Sequence, residues 1–334
     1  MRKILSSLIV IVFALNAHAQ DPHFSQFFAS PLTLNPAFTG KFDGEWRLAV
    51  NHRDQWPSIP KAYVTSSASF DMGLMKNKLP QGDVFGLGIS GLTDASANSQ
   101  LKLNYGSVSL SYHKALDEDG YNTIGAGFQG TYSSLVLDQS KLTYETMLAQ
   151  NGFTNESGRE FLQNGSNQSY FDMNAGVLYS GSSNGNNNYY AGVSIYHVNR
   201  PKVGFKDANY QLASRITMHA GGTLPITDAL SFNGSVIHQI QAKASETTLG
   251  GALAYNVNGD EVNPSNIFIG SWIRLNDAII PYIGLEVNGL RIGASYDVNI
   301  SSLKSATASR GGSEFSLIYI KRKSEVKGIP CPKF

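Results

Sequence analysis

Two glycine-rich stretches have the spacing that most resembles a ligand-binding motif. Residues 86–91 and 125–130 both match G-x-G-x-x-G, which in nucleotide-binding proteins joins a strand to a helix and places a phosphate at the helix N-terminus. Here both matches lie within segments that alternate apolar and polar or small residues, and no helical pattern follows them. We therefore predict that these glycines thin the inner wall of a sheet and bind no phosphate.

The histidines form no pattern that would bind a metal or activate a nucleophile. Six follow residue 19, scattered singly: His23, His52, His113, His197, His219 and His238. None is paired at metal-ligand spacing, and no G-x-S-x-G sequence marks a nucleophilic serine. The sequence thus predicts no catalytic residue, no cofactor and no metal site. A triad assembled from distant residues, as in a lipase-like barrel, stays open as the enzymatic alternative.

Two arginines have positions that allow two interpretations. Arg47 and Arg53 fall on the polar side of an alternating segment, opposite Trp46. Buried charges are commonly paired, so these arginines could form internal ion pairs with carboxylates such as Glu286 or Asp297. Alternatively, they could contact the N-terminal segment or a polypeptide threaded past them.

The composition favours extended β structure. Of 334 residues only 15% are charged, and the chain has 33 Gly, 16 Tyr and 17 Phe. The net charge of +1 argues against a nucleic-acid partner. The single cysteine excludes a disulfide scaffold. Beyond the first residues, no stretch approaches the roughly 20 apolar residues that a membrane-spanning helix needs.

Fourteen segments with alternating apolar and polar residues must position these side chains. They lie near 45–55, 62–72, 84–94, 101–114, 121–134, 170–180, 188–199, 214–225, 229–241, 245–257, 266–275, 278–287, 289–299 and 314–322. Their polar faces carry mainly Gly, Ser, Thr and Asn, and aromatic residues often lie near the ends of their apolar faces, which is typical of a lipid-facing barrel with a polar lumen. We predict an all-β fold: a single transmembrane antiparallel β-barrel of about 14 strands with a non-strand N-terminal segment.

The chain divides into four predicted regions. A positive start, an apolar run and Ala17-His18-Ala19 indicate a signal peptide that is cleaved between Ala19 and Gln20. The non-strand segment could act as a plug, and we expect it in or against the periplasmic mouth. Long extracellular loops are expected at 135–169, 200–213 and 300–313. The regions are 1–19 (signal peptide), 20–44 (N-terminal segment), 45–323 (outer-membrane barrel) and 324–334 (C-terminal tail).

Both ends of the chain carry distinctive strings of residues. After the predicted cleavage site the sequence reads Gln20-Asp21-Pro22-x-Phe24-Ser25-Gln26, then Pro31-Leu32-x-x-Asn35-Pro36-Ala37-x-x-Gly40. Arg53-x-Gln55-Trp56 and Thr65-x-x-Ala68-Ser69-x-Asp71 follow, and the chain closes with Cys331-Pro332-Lys333-Phe334. The first string resembles the start of mature PorP/SprF-family proteins, the second group is similar to the family's next block, and the closing residues are similar to its usual terminus.

This resemblance implies a non-enzymatic outer-membrane barrel of the type IX secretion system of Bacteroidota. Family members export or surface-anchor large secreted proteins, notably gliding-motility adhesins with a type B C-terminal domain. One branch instead contacts periplasmic components of the apparatus. The implied partners are thus such an adhesin, secretion components and outer-membrane lipid, and a passive solute channel is the alternative. The candidate partner-binding or plug residues are Phe24, Gln26, Phe28, Pro31, Asn35, Pro36, Arg47, Arg53, Gln55 and Trp56.

Overall fold

The computed structural model describes most of the chain between residues 21 and 322. The described ranges are 21–59, 62–75, 78–118, 120–138, 142, 148–149, 152–153, 167–183, 185, 187–204, 210–260 and 264–322. The predicted signal peptide with its cleavage site, the C-terminal tail with Cys331 and most of the predicted loop 135–169 lie outside these residues.

Fourteen antiparallel strands close into one barrel, as predicted. Consecutive strands pair, and the last strand pairs with the first from Trp46 opposite Lys321 to Gln55 opposite Gly312. The strands are β1 Trp46–Gln55, β2 Tyr63–Leu74, β3 Val84–Ser96, β4 Leu101–Ala115, β5 Thr123–Leu137, β6 Asn167–Gly181, β7 Asn188–Tyr196, β8 Arg215–Pro225, β9 Leu230–Gln241, β10 Ala244–Asn256, β11 Asn266–Arg274, β12 Ala278–Val287, β13 Leu290–Asn299 and β14 Arg310–Lys321. We call the end where β1 begins and β14 ends the terminal end, and the opposite end the loop end.

Successive side chains of each strand point alternately out of and into the barrel, because the pleat has a period of two residues. Phe128 of β5 and Ile269 of β11 point outward and are 67% and 65% exposed. Their neighbours Gln129 and Phe268 point inward and are buried. The outward set is mainly apolar in the middle of the strands, and charged residues such as Lys102 and Lys114 lie near the strand ends, which matches the predicted lipid-facing surface.

The strands extend further into the predicted loops than the sequence indicated. β5 continues to Leu137 and β6 begins at Asn167, so both ends of the predicted loop 135–169 belong to the barrel. Residues 310–313, predicted as loop, form the start of β14. Ladder pairing with neighbouring strands holds these residues in strands although their side chains show no strong alternation.

Outside the barrel strands the regular elements are short. Helical turns are Phe27–Ala29, Pro31–Leu34, Pro36–Phe38 and Lys304–Thr307, and two-residue strands are Leu148–Ala149, Gly152–Phe153, Lys202–Val203 and Tyr210–Gln211. Across the described ranges, no helix has the length and apolar character needed to cross a bilayer.

Residues 21–44, which we call the plug, lie inside the barrel. Asp21 contacts Gln241 at the loop end, whereas the chain leaves the lumen beside Lys321, whose carbonyl accepts from the Glu45 amide at the terminal end. The plug therefore runs the length of the lumen and reaches both ends of the barrel, which is deeper than the predicted position in or against the periplasmic mouth. Its polar groups find partners along the full height of the wall, which favours this deeper position.

Candidate functional site

The plug folds into three tight turns because its sequence disfavours a strand. Pro31 and Pro36 each begin a helical turn, a position where their missing N–H is not needed. Asn35 precedes the second proline, and its side-chain oxygen accepts from the Ala37 amide at 2.8 Å. These turns shorten the chain and direct aromatic side chains to the wall.

Aromatic residues of the plug pack on an apolar patch of the inner wall. Phe28 stacks on Trp272, with ring centroids 4.7 Å apart, and meets Tyr282 edge to face at 5.5 Å. Phe38 lies 5.2 Å from the His219 ring on the other side of the lumen. The inward Trp272 was not among the candidate residues, although an aromatic residue in the polar register of a strand is a signal that could have identified it. Such contacts add about 0.5–1.5 kcal/mol each beyond area burial.

The two glycine-rich motifs make room for the plug backbone. A Cβ on Gly86 would lie 2.2 Å from the Thr39 carbonyl oxygen, and one on Gly127 would lie 2.4 Å from the Ala37 nitrogen. Both motifs lie within strands, β3 and β5. The G-x-G-x-x-G spacing therefore reflects close backbone approach inside a barrel.

A buried carboxylate holds the plug backbone near the loop end. Glu314 of β14 accepts hydrogen bonds from the amides of Ser25 (2.7 Å) and Gln26 (3.0 Å). The Gln26 side chain donates to the Glu314 carbonyl at 2.9 Å and to Ser295 Oγ at 3.0 Å, and accepts from Ser316 Oγ at 2.6 Å. Every polar atom of this amide is thereby engaged with the wall, which fixes the register of the plug.

Two arginines surround the same site. Arg53 forms an ion pair with Asp297 at 2.9 Å and donates to the His23 carbonyl at 2.6 Å. Arg274 contacts Asp297 at 3.0 Å and donates to Ser25 Oγ at 2.6 Å. Both interpretations of Arg53 therefore apply together, since it forms an ion pair and contacts the N-terminal segment. Glu314 and Arg274 were missed from sequence because they lie more than 240 residues from their plug partners.

A second ionic cluster anchors the start of the plug at the loop end. The His197 ring donates to Asp21 at 2.7 Å and to Asp172 at 2.8 Å, and Arg215 lies 3.5 Å from Asp21. Burial of the imidazole would lower its pKa, but the two carboxylates outweigh burial and raise the pKa of His197 to about 9. The ring is therefore cationic at neutral pH and bridges the plug to the turn after β7.

The plug is also fixed near the terminal end. Arg47 forms a bidentate pair with Asp71, with bonds of 3.0 and 2.8 Å, and donates to the Phe38 carbonyl at 3.0 Å. Asp71 in turn accepts from the Gly40 amide at 2.7 Å. Arg47 thus pairs with Asp71, and neither of the carboxylates named from sequence is its partner. Like Arg53, it contacts the N-terminal segment as well.

The remaining candidate residues divide into two groups. Phe24 is buried and belongs to the plug. Gln55 and Trp56 end β1 and begin the following turn at the loop end, where Trp56 packs edge to face on Tyr63. The structure therefore brings eight of the ten candidates together at the plug and leaves these two at the rim. Across the described residues, no group of three His, Cys, Asp or Glu side chains is arranged to hold a metal ion.

The barrel is closed, its outer face is mainly apolar, and its own N-terminal segment occupies the lumen. These features define a plugged transmembrane β-barrel. A family model described as type IX secretion system membrane protein PorP/SprF matches residues 16–319. The chain belongs to this family. No curated protein sequence matches the chain.

Solved outer-membrane channels share the fold. The chain resembles the toluene transporter TbuX of Ralstonia pickettii with a TM-score of 0.50 and 11% identity, over 88% of this chain and 93% of that one. It resembles the monoaromatic hydrocarbon channel CymD with a TM-score of 0.51 and 10% identity, over the same shares of the two chains. At such identities the likeness is one of fold alone.

Proposed function

We propose that this protein is a non-enzymatic docking barrel of type IX secretion in the outer membrane. After removal of residues 1–19, it holds or helps export a large secreted adhesin by binding its type B C-terminal domain. Family membership supports a role in secretion. The observation that carries the choice of a docking barrel over an open pore is the plug, which is anchored to the wall by ionic clusters near both of its ends.

The plug closes the loop end of the lumen, which disfavours a passive solute channel. Beside Asp21 and His23 the two cavities between plug and wall have volumes of about 20 Å³ each, room for roughly one water molecule. A solute crossing the barrel would have to displace plug contacts that include buried ion pairs, and breaking one such pair costs about 3–5 kcal/mol. Partner binding on the barrel rim needs no such displacement.

The test is purification of the tagged protein from native outer membranes, followed by mass spectrometry. We expect recovery of a large secreted protein with a C-terminal sorting domain. Recovery of periplasmic ring or peptidoglycan-binding proteins alone would assign the barrel to the machinery branch instead. A barrel without partners that also gives steady single-channel conductance in planar bilayers would refute the proposal in favour of a channel.

The loop between β5 and β6 is the proposed determinant of partner choice. Residues 138–166 form the longest connection between barrel strands, and long loops commonly carry binding specificity. Exchanging this loop for that of a relative should change the recovered partner. Exchanging the short turn at 242–243, which joins β9 to β10, is the matched control and should leave the partner unchanged. An unchanged partner after the loop exchange would contradict this assignment.

A further inference from the structure

The lumen contains a chamber at its terminal end that the plug leaves open. Its volume is about 220 Å³, and it is bounded by the plug on one side and by β7 to β13 on the other. Asn188, the first residue of β7, and Arg291, the second residue of β13, lie at its rim and are exposed or partly exposed. Access is therefore from the terminal end, while the clusters around Glu314 and Asp21 occupy the other end of the lumen.

One part of the chamber wall is aromatic. Phe28, Trp272, Tyr282 and Phe268 line it, and Phe28 and Trp272 are stacked on each other. An inward aromatic side chain that contacted only polar groups of the lumen would be in an unfavourable environment. These four side chains instead lie together and create a local apolar surface. A planar ring inserted beside them gains stacking and edge contacts with centroids about 4.5–7 Å apart.

The other part of the wall is cationic and rich in donors. Lys41, Arg47 and Arg291 line the chamber, and none of the lining residues carries a carboxylate. Arg47 and Arg291 are paired with Asp71 and Glu286 outside the lining. The ammonium group of Lys41, in contrast, has no hydrogen-bond or ion-pair partner within the described part of the chain.

A side-chain amide without a hydrogen-bond partner favours a ligand that supplies an acceptor oxygen. Asn233 lines the chamber, and its side-chain oxygen accepts from Thr223 Oγ1 at 2.7 Å. Its Nδ2 is buried and has no hydrogen-bond partner among the described residues. A buried donor left unpaired costs about 1–3 kcal/mol, and a ligand that supplies an acceptor oxygen would recover that free energy.

We propose that the terminal chamber binds an aromatic carboxylate, with the ring among Phe28, Trp272 and Tyr282 and the carboxylate at Lys41 and Asn233. The volume is below the roughly 300–1,000 Å³ of sites that enclose a drug-sized ligand. It therefore fits a single ring with its carboxylate, either as a free small acid or as the end of a polypeptide that terminates in an aromatic residue. Binding of an aromatic carboxylate in this chamber is separate from the proposed adhesin binding, and each can be tested without the other.

Trp272 provides a direct readout. The chain has three tryptophans, so Trp46→Phe combined with Trp56→Phe leaves Trp272 as the fluorophore in the purified full-length barrel. Titration with 3-phenylpropionate should give a saturable change in emission, and 3-phenylpropionamide, which has the same shape without the charge, should bind at least tenfold more weakly. An unaltered heat-induced gel shift of the double variant establishes that the barrel remains folded.

Variants then test the assigned donors. Lys41→Gln should abolish the preference for the acid over the amide, and Asn233→Ala should weaken binding of the acid severalfold. Lys102→Gln, on β4 and outside the chamber lining, is the matched control. It should bind both ligands like the parent, which is the Trp46→Phe, Trp56→Phe double variant. Equal binding of acid and amide by the parent, no saturable response, or an unchanged preference in Lys41→Gln would each overturn the proposal.

The source of the ligand is resolved with peptides. A ten-residue peptide ending in phenylalanine is compared with the same peptide as its C-terminal amide. Binding of the free-acid peptide with the same tenfold preference identifies a polypeptide end as a ligand. Binding of 3-phenylpropionate alone restricts the site to small acids, and either result supports the aromatic-carboxylate assignment.

Discussion

Replacing Gly127 by alanine is the sharpest test of how the plug is seated. The added Cβ would lie 2.4 Å from the Ala37 nitrogen and from the Pro36 carbonyl carbon, whereas ordinary contacts begin near 3.4 Å. The plug turn must therefore move by about 1 Å. This overpacking costs about 1–3 kcal/mol.

The same displacement strains the hydrogen bonds of the neighbouring Asn35. Its Nδ2 donates to the Val177 carbonyl at 3.0 Å, and its Oδ1 accepts from the Ala37 amide at 2.8 Å. Each bond contributes about 1 kcal/mol, so the docking of this turn should weaken by roughly 3 kcal/mol or more. Since 1.4 kcal/mol corresponds to a factor of ten, local opening of the plug should become about 100-fold more frequent.

Hydrogen exchange measured by mass spectrometry reads this opening directly. Peptides covering residues 35–41 should exchange about 100-fold faster in Gly127→Ala, while peptides from β10 to β12 keep their rates. Gly106→Ala is the matched control, because a Cβ there meets no atom within 4 Å. Unchanged exchange in residues 35–41, or equal acceleration in both variants, would refute the close packing of the plug turn on Gly127.

Three further outcomes are expected from the charges and the outer face. Arg53→Met leaves two buried carboxylates without this cation and should destabilise the barrel by about 3–5 kcal/mol, seen as a lower midpoint of the heat-induced gel shift. Lys114→Gln removes a lysine that is itself exposed to solvent and should change this midpoint far less. The pKa of His197, about 9 when folded against an ordinary 6.5, means that its stabilisation is full below pH 6.5 and is lost as the pH rises through 9. Trypsin should therefore cleave the plug faster at pH 10 than at pH 6, and persistence of the same pH dependence in His197→Gln would contradict this. Phe128→Arg on the lipid-facing side should cost about 2–4 kcal/mol in urea unfolding from bilayers, and Leu116→Arg, just beyond β4, about 0–1; equal costs would be evidence against the membrane placement.

Local chemistry explains why the barrel itself was predictable. Alternation such as Leu290, Ile292 and Ala294 against Arg291 and Gly293 follows from the pleat of a single strand, so it needs no knowledge of distant residues. Hairpin turns then impose antiparallel order, and a long row of such strands closes to remove its edges. Strand ends were less predictable, because residues such as Asn167 and Arg310 are held in strands by neighbours in the ladder.

The plug was predictable as a non-strand segment, since Pro31 and Pro36 exclude regular pairing. Its depth and its partners were not. Ser25 meets Glu314 across 289 residues of sequence, and Phe28 meets Trp272 across a similarly long interval. No local pattern encodes such pairs, because the partner strands face one another only after closure and register are set.

The sequence by itself thus determined the strands, their two faces and the irregular character of the N-terminal segment, since each depends on neighbours within a few residues. Only the tertiary structure decided that this segment occupies the lumen, that Glu314 and Arg274 hold it, and that Lys41 and Asn233 come together beside aromatic rings. The physical reason is barrel closure, which brings inward side chains from strands far apart in sequence to the same lumen.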